Sequence, residues 1–493
     1  MKNLIQTFVL KCVGIVGIAL LCPLFANAQF LRTSYFMEGS HYRMQLNPAL
    51  MSERGFVNLP VLGSFHANVG SNSLSYQDIN DILDDDGNFY SNPKFLNRLK
   101  DNNKLNLNMH TDIISAGWYR GQNFWSINVT KSMFTFLNEM DVIEENWRNS
   151  RYDISGQELN INAYTEFGVG YARAIDDRLN VGGRVKMLLG VGNTELRMES
   201  VRMNANLPSE SRLNQLSDGS YLGGLTPAEM AALKGELSGY QASLEVRTSL
   251  KNSFKGLNLI QDSYDGYIND LDFDAGDLGI AGYGLGIDLG ASYKILDNLT
   301  VSAALLDLGF ISWSKGSTEM ANTDVSDIDI RGDEYLAGID VNDIDAIERN
   351  MYRLREDALQ YIDRVTGGEV LSYDLLGLKK EDAAKSRTTG LATTLVLGGE
   401  YGLLDNKLGL GVLSTTRFLQ PKTNSELTFS ASYQATNWLD LALSYSVIQS
   451  AGKSFGLALR MGPVFIGTDY MFFGNNSNHM NMFAGISIPL AKK

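Results

Sequence analysis

The sequence predicts an all-β chain: a transmembrane antiparallel β-barrel of about 14 strands with an N-terminal plug and a helix-containing extracellular loop. Three observations carry this reading. Strands of period two present one wholly apolar edge. The connections between them alternate between short turns and long loops. An export segment opens the chain, and no later apolar run is long enough to be a membrane helix.

The period is clearest over 282–313. Tyr283, Leu285, Ile287, Leu289, Ala291, Tyr293 and Ile295 share one parity, while Gly282, Gly284, Gly286, Asp288, Gly290, Ser292 and Lys294 share the other. Successive strand side chains point to opposite faces, so one edge is apolar and the other small or polar. Leu296-Asp297-Asn298 reads as a tight turn, after which Leu299, Val301, Ala303 and Leu305 return on one face. A soluble sandwich has the same alternation. Recurrence of the unit and the distribution of its connections discriminate between the two.

At the N-terminus, Lys2 and Lys11 precede the apolar run Cys12–Phe25, and Ala26-Asn27-Ala28 supplies a small-x-small cleavage site. Residues 1–28 therefore read as a signal peptide, with Gln29 as the mature start. Cys22 suggests lipidation, but Leu21 stands where a small residue is needed. Both cysteines lie in the removed segment, which excludes disulfides and thiolate metal sites from the mature chain. Removing Lys2 and Lys11 leaves 40 basic against 56 acidic residues, a charge of −16 that disfavours nucleic acid as a partner. Gly is frequent, at 48 residues, and Pro scarce, at 9, which suits long ladders that proline would interrupt.

Residues 29–55 are not strand-like and read as the plug. Strand candidates follow at 56–70, 104–121, 123–137, 159–176, 178–192, 277–295, 297–313, 386–404, 406–420, 424–436, 438–450, 453–462, 464–474 and 480–490, the barrel spanning 56–493. Most reach the roughly 10 residues that a tilted spanning strand needs. A further extended segment, 240–254, would make the count odd, whereas a single-chain barrel needs an even number. Pairing it with 194–204 as a hairpin rising from one long loop restores parity. Every alternate connection is then short (121–122, 175–178, 296–298, 404–407, 436–437, 462–463), and the other set holds the long outer loops 71–103, 137–158, 193–276 and 314–385. A sandwich has no reason to sort loop lengths in this way.

The 314–385 loop predicts a helix near 341–365, where Ile344, Ile347, Met351, Leu354, Ala358, Tyr361 and Val365 recur at helical spacing against a charged face. The acidic runs 81–87 and 324–334 resemble fragments of calcium loops, but Ile82 and Arg331 occupy ligand positions, so solvated loops are the expectation. His41, His66, His110 and His479 lack metal spacing, and no Gly-x-Ser-x-Gly elbow occurs. We expect no enzyme, no cofactor and no metal. Trp118, Tyr119, Phe124, Trp125, Trp313, Trp438, Tyr470, Phe472 and Phe473 fall near strand ends, as interfacial girdles do.

Leu46-Asn47-Pro48-Ala49-Leu50 ahead of the first strand, and hairpins such as 284–294 followed by 307–313, resemble the long-chain fatty-acid transporter (FadL-type) superfamily of outer-membrane barrels. The stretch Tyr35–Ala49 is similar to the opening of a Bacteroidota outer-membrane family, and PorV-like barrels of type IX secretion are similar too. Leu50 departs from the glycine that usually follows the family's motif. The resemblance implies a plugged barrel in a Gram-negative outer membrane, monomeric and surrounded by outer-membrane lipid. It makes Asn47, Pro48 and Ala49 plug or gate residues and implies uptake or passage of a small hydrophobic ligand. The alternative it implies is a non-transport platform or shuttle for a secretion or cell-surface partner protein.

Overall fold

The computed structural model of the chain describes residues 32–58, 63–71, 104–138, 149–153, 155–264, 266–325, 327–366, 373–382, 385–418, 423–448, 454–470 and 479–490. Residues 1–28, read above as a signal peptide, the acidic run 81–87, and Phe472 and Phe473 lie outside them. Fourteen strands form the barrel: β1 (Phe56–Asn58 and Ser64–Ser71), β2 (Lys104–Arg120), β3 (Asn123–Asn138), β4 (Gln157–Ala174), β5 (Leu179–Asn206), β6 (Gly282–Leu296), β7 (Leu299–Trp313), β8 (Arg387–Gly390 and Thr394–Leu403), β9 (Leu408–Arg417), β10 (Asn424–Thr436), β11 (Leu439–Ile448), β12 (Ser454–Met461), β13 (Val464–Thr468) and β14 (His479–Pro489). Each pairs antiparallel with its neighbours. β1 closes the ring, with Phe65 opposite Thr111 of β2 on one side and Ala484 of β14 on the other. Among the described barrel strands, closure leaves no strand without a neighbour on either side; an unpaired edge is what hydrocarbon would not tolerate.

The direction of the apolar edge separates a membrane barrel from a soluble one. Tyr283, Leu285, Ile287 and Leu289 are 62, 56, 45 and 52% exposed, whereas Gly282, Gly284, Gly286 and Asp288 are buried. Val169, Val185, Phe429 and Leu443 are bare in the same way on other strands. An apolar belt around the outside, with polar and glycine residues inside, is the inverse of a soluble core, and its natural solvent is lipid. Trp118, Trp125 and Trp438 join this outer face close to the short turns, and the Trp125 ring meets Tyr171 edge-on at 5.0 Å. The girdle expectation fails for Tyr119, Phe124, Trp313 and Tyr470. Trp313 is fully buried and donates from its indole N–H to Thr389 Oγ1 at 2.8 Å, and Phe124 packs inward against Phe56 and Met44. Nearness to a strand end sets depth along the barrel, but parity sets the face.

One parity change explains Trp313. Between β6 and β7 the register steps from Leu289↔Leu305 to Ile287↔Leu308, inserting one extra residue into β7. Asp307 sits at this bulge with φ 57°. The outward set switches from Val301 and Ala303 to Leu308 and Phe310, and Ile311 and Trp313 turn inward.

β5 runs for 28 residues, roughly 90 Å at the usual strand rise, far more than a membrane crossing. Its second half leaves the barrel and pairs with Gln241–Asn252, Thr194 opposite Asn252 and Asn206 opposite Gln241, as the parity argument required. Asn149–Asp153, Glu319–Thr323 and Ile328–Arg331 extend this outlying sheet. Helices α1 (Glu210–Leu216), α2 (Gly219–Gly223), α3 (Pro227–Leu237) and α4 (Ile344–Thr366) cover it. α4 buries Ile347, Met351, Leu354, Ala358, Tyr361 and Val365, the stripe read from the sequence. It starts three residues later than expected because Asp343 Oδ1 accepts from the Ala346 N–H and fixes the first turn. With Val201, Met203, Leu244 and Val246 from the sheet, these side chains make one apolar core: a packed cap on the long-loop end of the barrel.

Candidate functional site

Residues 32–55 lie inside the ring, and most of their side chains are buried. Two sets of contacts hold them. At one end, Arg32 NH1 pairs with Glu426 Oε2 of β10 at 2.7 Å with its guanidinium over the Tyr470 ring, while Thr33 gives its N–H and its hydroxyl to Asp469 at 2.8 and 2.6 Å. At the short-turn end, Tyr42 donates to the Gly63 carbonyl and stacks on Phe465, and the Ser52 carbonyl accepts from Tyr119 at 2.5 Å.

Between these ends, Asn47, Pro48 and Ala49 form a buried turn against β5, β6 and β7. Asn47 Oδ1 accepts the Ala49 N–H at 2.9 Å, closing an Asx turn that proline then stiffens. Asn47 Nδ2 reaches the carbonyls of Ala291 and Ala303 at 3.2 and 3.3 Å. The wall admits this turn because it lacks side chains there. A Cβ on Gly290 would collide with Asn47 Oδ1 and Pro48 Cδ, and one on Gly182 would collide with the Pro48 carbonyl.

Beside this turn a charged patch crosses the wall. Lys186 Nζ on β5 lies 2.7 Å from Asp307, 2.9 Å from Asp288 and 3.5 Å from Glu166. The bulge that turns β7 also presents Asp307, whose N–H donates to Asp288 at 2.8 Å. Arg184 joins wall to plug: NH1 faces Asp288 at 3.5 Å and NH2 donates to the Met44 carbonyl at 3.0 Å. Between plug and wall lies a partly open cavity of about 100 Å³. Leu46, Phe56 and Leu306 line one part of it, and His110, Asp112, Thr130, Glu166, Arg184 and Lys186 line another.

Of these groups the sequence reading singled out only Asn47, Pro48 and Ala49 as site residues. The signal for the others was visible: Glu166 and Asp288 fall on the glycine-and-polar parity, where a charge points into the lumen. Two of the histidines scattered in sequence meet: His66 lies directly opposite His110 on β1 and β2. Among the described residues no group of three or more His, Cys, Asp or Glu could hold a metal. In the acidic run 324–334, Asp324 pairs with Lys379, Asp327 with Arg247, and Asp329 and Glu334 with Arg331.

Lipid-facing girdle, closed ring and filled lumen define the class: a fourteen-stranded transmembrane β-barrel with an inserted N-terminal segment and an outer cap. The chain belongs to the Family of unknown function (DUF5723), whose model matches residues 48–469. No curated protein matches it. Among solved structures it is similar to the toluene transporter TodX of Pseudomonas putida, at 10% identity over 92% of this chain and 94% of that one with a TM-score of 0.39. A Pseudomonas aeruginosa FadL homologue aligns at 10% identity over 94% and 96% of the two chains with a TM-score of 0.39. The translocator domain of the autotransporter NalP from Neisseria meningitidis aligns at 7% identity over 88% and 86%, with a TM-score of 0.29.

Proposed function

We propose that this protein is an outer-membrane barrel through which small molecules pass, with residues 29–55 as a plug and Asn47–Ala49 as the part of it that gates. One observation carries the reading: the partly open cavity between the inserted segment and the wall. A purely structural barrel has no need of such a space. The segment beside it is held by hydrogen bonds and short contacts instead of by strand pairing, so it can shift without opening the ring. The hydrophobic cargo implied by the FadL-type resemblance fits one part of the cavity, along Leu46, Phe56 and Leu306. The charged part selects molecules that also carry a polar head. In this reading the long loops and the cap face the outside, and the short turns face the periplasm.

A second reading is favoured by a different observation. The cap has its own apolar core, built from α1 to α4, the short helical turn Tyr373–Leu376 and a sheet extension, more than a pore mouth requires. A platform for a secretion or cell-surface partner would use such a surface.

Vesicle uptake and affinity capture separate the two. Protein in liposomes that admits small amphiphiles, with uptake raised by deleting residues 32–50, supports passage. An impermeable vesicle and a stoichiometric protein companion in detergent extracts support the platform.

A further inference from the structure

We infer that the His41 ring, stacked on Phe56, is a door between the cavity and the short-turn end of the barrel, through which solutes leave. The inference rests on the passage reading and names the residue at which passage is controlled.

A second cleft, of about 70 Å³, lies between the plug and the short turns. Ser52, Arg54 and Gly55 of the plug form one side of it. The other side holds Gly462 and Pro463, which turn the chain from β12 to β13, and Pro489 at the end of β14. In the passage reading this is the periplasmic end. Two residues border both this cleft and the charged cavity: His41 and Phe56. Their rings stack at 3.9 Å with 26° between their planes. The aromatic pair is therefore the partition between the two spaces.

The two rings are held differently. Phe56 is fixed: its backbone sits in the ladder between Gly117 of β2 and Pro489 of β14, and its ring lies over Gly117, where a Cβ would stand 2.7 Å from Cε1. His41 is loose. Arg32, Thr33, Tyr35, Tyr42 and Asn47 all hydrogen-bond to the barrel, whereas His41 Nε2 is buried with no hydrogen-bond partner among the described residues. His41 also opens the 3-10 turn His41–Gln45, whose N-cap Ser40 makes no side-chain capping bond. The next residue, Tyr42, is pinned to the Gly63 carbonyl, so the imidazole can turn about its own side-chain bonds while the plug backbone stays in place. A ring placed for packing alone would have neighbours on every side, and one bordered by two spaces forgoes those contacts. A single aromatic stack is weak enough to open and reform thermally.

The test uses the full mature chain in detergent, with Ser126→Cys on the cavity wall as its single thiol and methanethiosulfonate-ethylsulfonate as the reagent. His41→Ala should speed labelling by at least about fivefold. His41→Phe, which keeps a flat ring on Phe56, should hold the original rate, both in proteins that keep heat-modifiable gel mobility. With the thiol moved to Ser52→Cys, which reports whether the plug is seated, His41→Ala should change nothing. Unchanged labelling of the cavity thiol in His41→Ala overturns the inference, as does an equal acceleration at Ser52→Cys, which would mean that the whole plug had left. Uptake of benzenesulfonate into phosphatidylcholine vesicles tests the passage reading separately. Faster cavity labelling in His41→Ala without uptake by any variant keeps the door and rejects passage. Uptake indifferent to His41→Ala rejects the door and keeps passage.

Discussion

Gly182→Ala tests whether the fit of the Asn-Pro-Ala turn into the wall holds the plug. A Cβ at Gly182 would stand 2.8 Å from the Ala49 nitrogen and closer still to the Pro48 carbonyl. Both are backbone atoms of a stiff turn, so no side-chain rotation relieves the clash. Overpacking of this kind costs about 1–3 kcal/mol. The cost falls on the seated plug alone, because the barrel strand accepts alanine in the unseated form. The seated-to-unseated ratio should therefore drop by roughly 5- to 150-fold. Gly183, one residue on, is the control: a Cβ there meets the Asp288 carbonyl and Leu289 at 3.4 and 3.6 Å, ordinary contacts. Cys12 and Cys22 both lie in the segment read as signal peptide, so Ser52→Cys introduces a single thiol into the mature chain, at a buried plug position. Its maleimide labelling rate reports the unseated fraction. Labelling should accelerate in Gly182→Ala and stay unchanged in Gly183→Ala. Equal rates in the two variants, both with intact barrels, would refute the argument that the close approach retains the turn.

Four further outcomes follow from other contacts. Asn47→Ala removes the Asx bond and two bonds to wall carbonyls, and at about 1 kcal/mol each the same labelling assay should show an acceleration of at least tenfold. Lys186→Met leaves Asp288, Asp307 and Glu166 facing one another without their ammonium. It should lower barrel stability by about 3–5 kcal/mol, read as an earlier heat-unfolding transition on gels. Leu354→Ala, at a fully buried α4 position, should cost the cap about 2–5 kcal/mol, seen as faster amide exchange in α1 to α4, while exchange in β9 to β12 stays unchanged. In the cap, the Arg212 hydrogen bond holds the Glu236 carboxyl below its usual 4.5. A depressed acid stabilises fully above its ordinary value, and that stability is lost as the pH falls through the lowered one. Protection of α1 and α3, taken as amide exchange corrected for its intrinsic pH dependence, should thus be flat from pH 7 to 5 and fall below about 4.5, with the effect screened to about 1 kcal/mol or less at this partly exposed pair. Burial and the Glu236 bond push Tyr240 up to about 12, so the same contact is insensitive to mildly alkaline pH.

The barrel was legible because its two constraints are local and repetitive. Lipid outside and polar lumen inside impose a strict parity, which Tyr283–Leu289 spell out residue by residue, and a closed single-chain ring imposes an even count. That count made Gln241–Asn252 a partner of β5 instead of a fifteenth wall strand. The α4 stripe was legible for the same reason, as a period written into one segment. Helices α1 to α3 went unread, although Thr226-Pro227-Ala228-Glu229 is a capping box with proline at the first helical position; these helices are short, and the loop around them masked the signal. Beyond such periods the sequence runs out. Whether Trp313 faces lipid or lumen depends on one extra residue at Asp307, and a parity argument cannot see a bulge before the partner strand is known. Which side of the wall Asn47 meets, and that Gly182 and Gly290 make room for it, are pairings across 135 and 243 residues. The Lys186 cluster and the meeting of His66 with His110 arise only when the ring closes, because closure alone brings inward-facing side chains of distant strands within reach of one another.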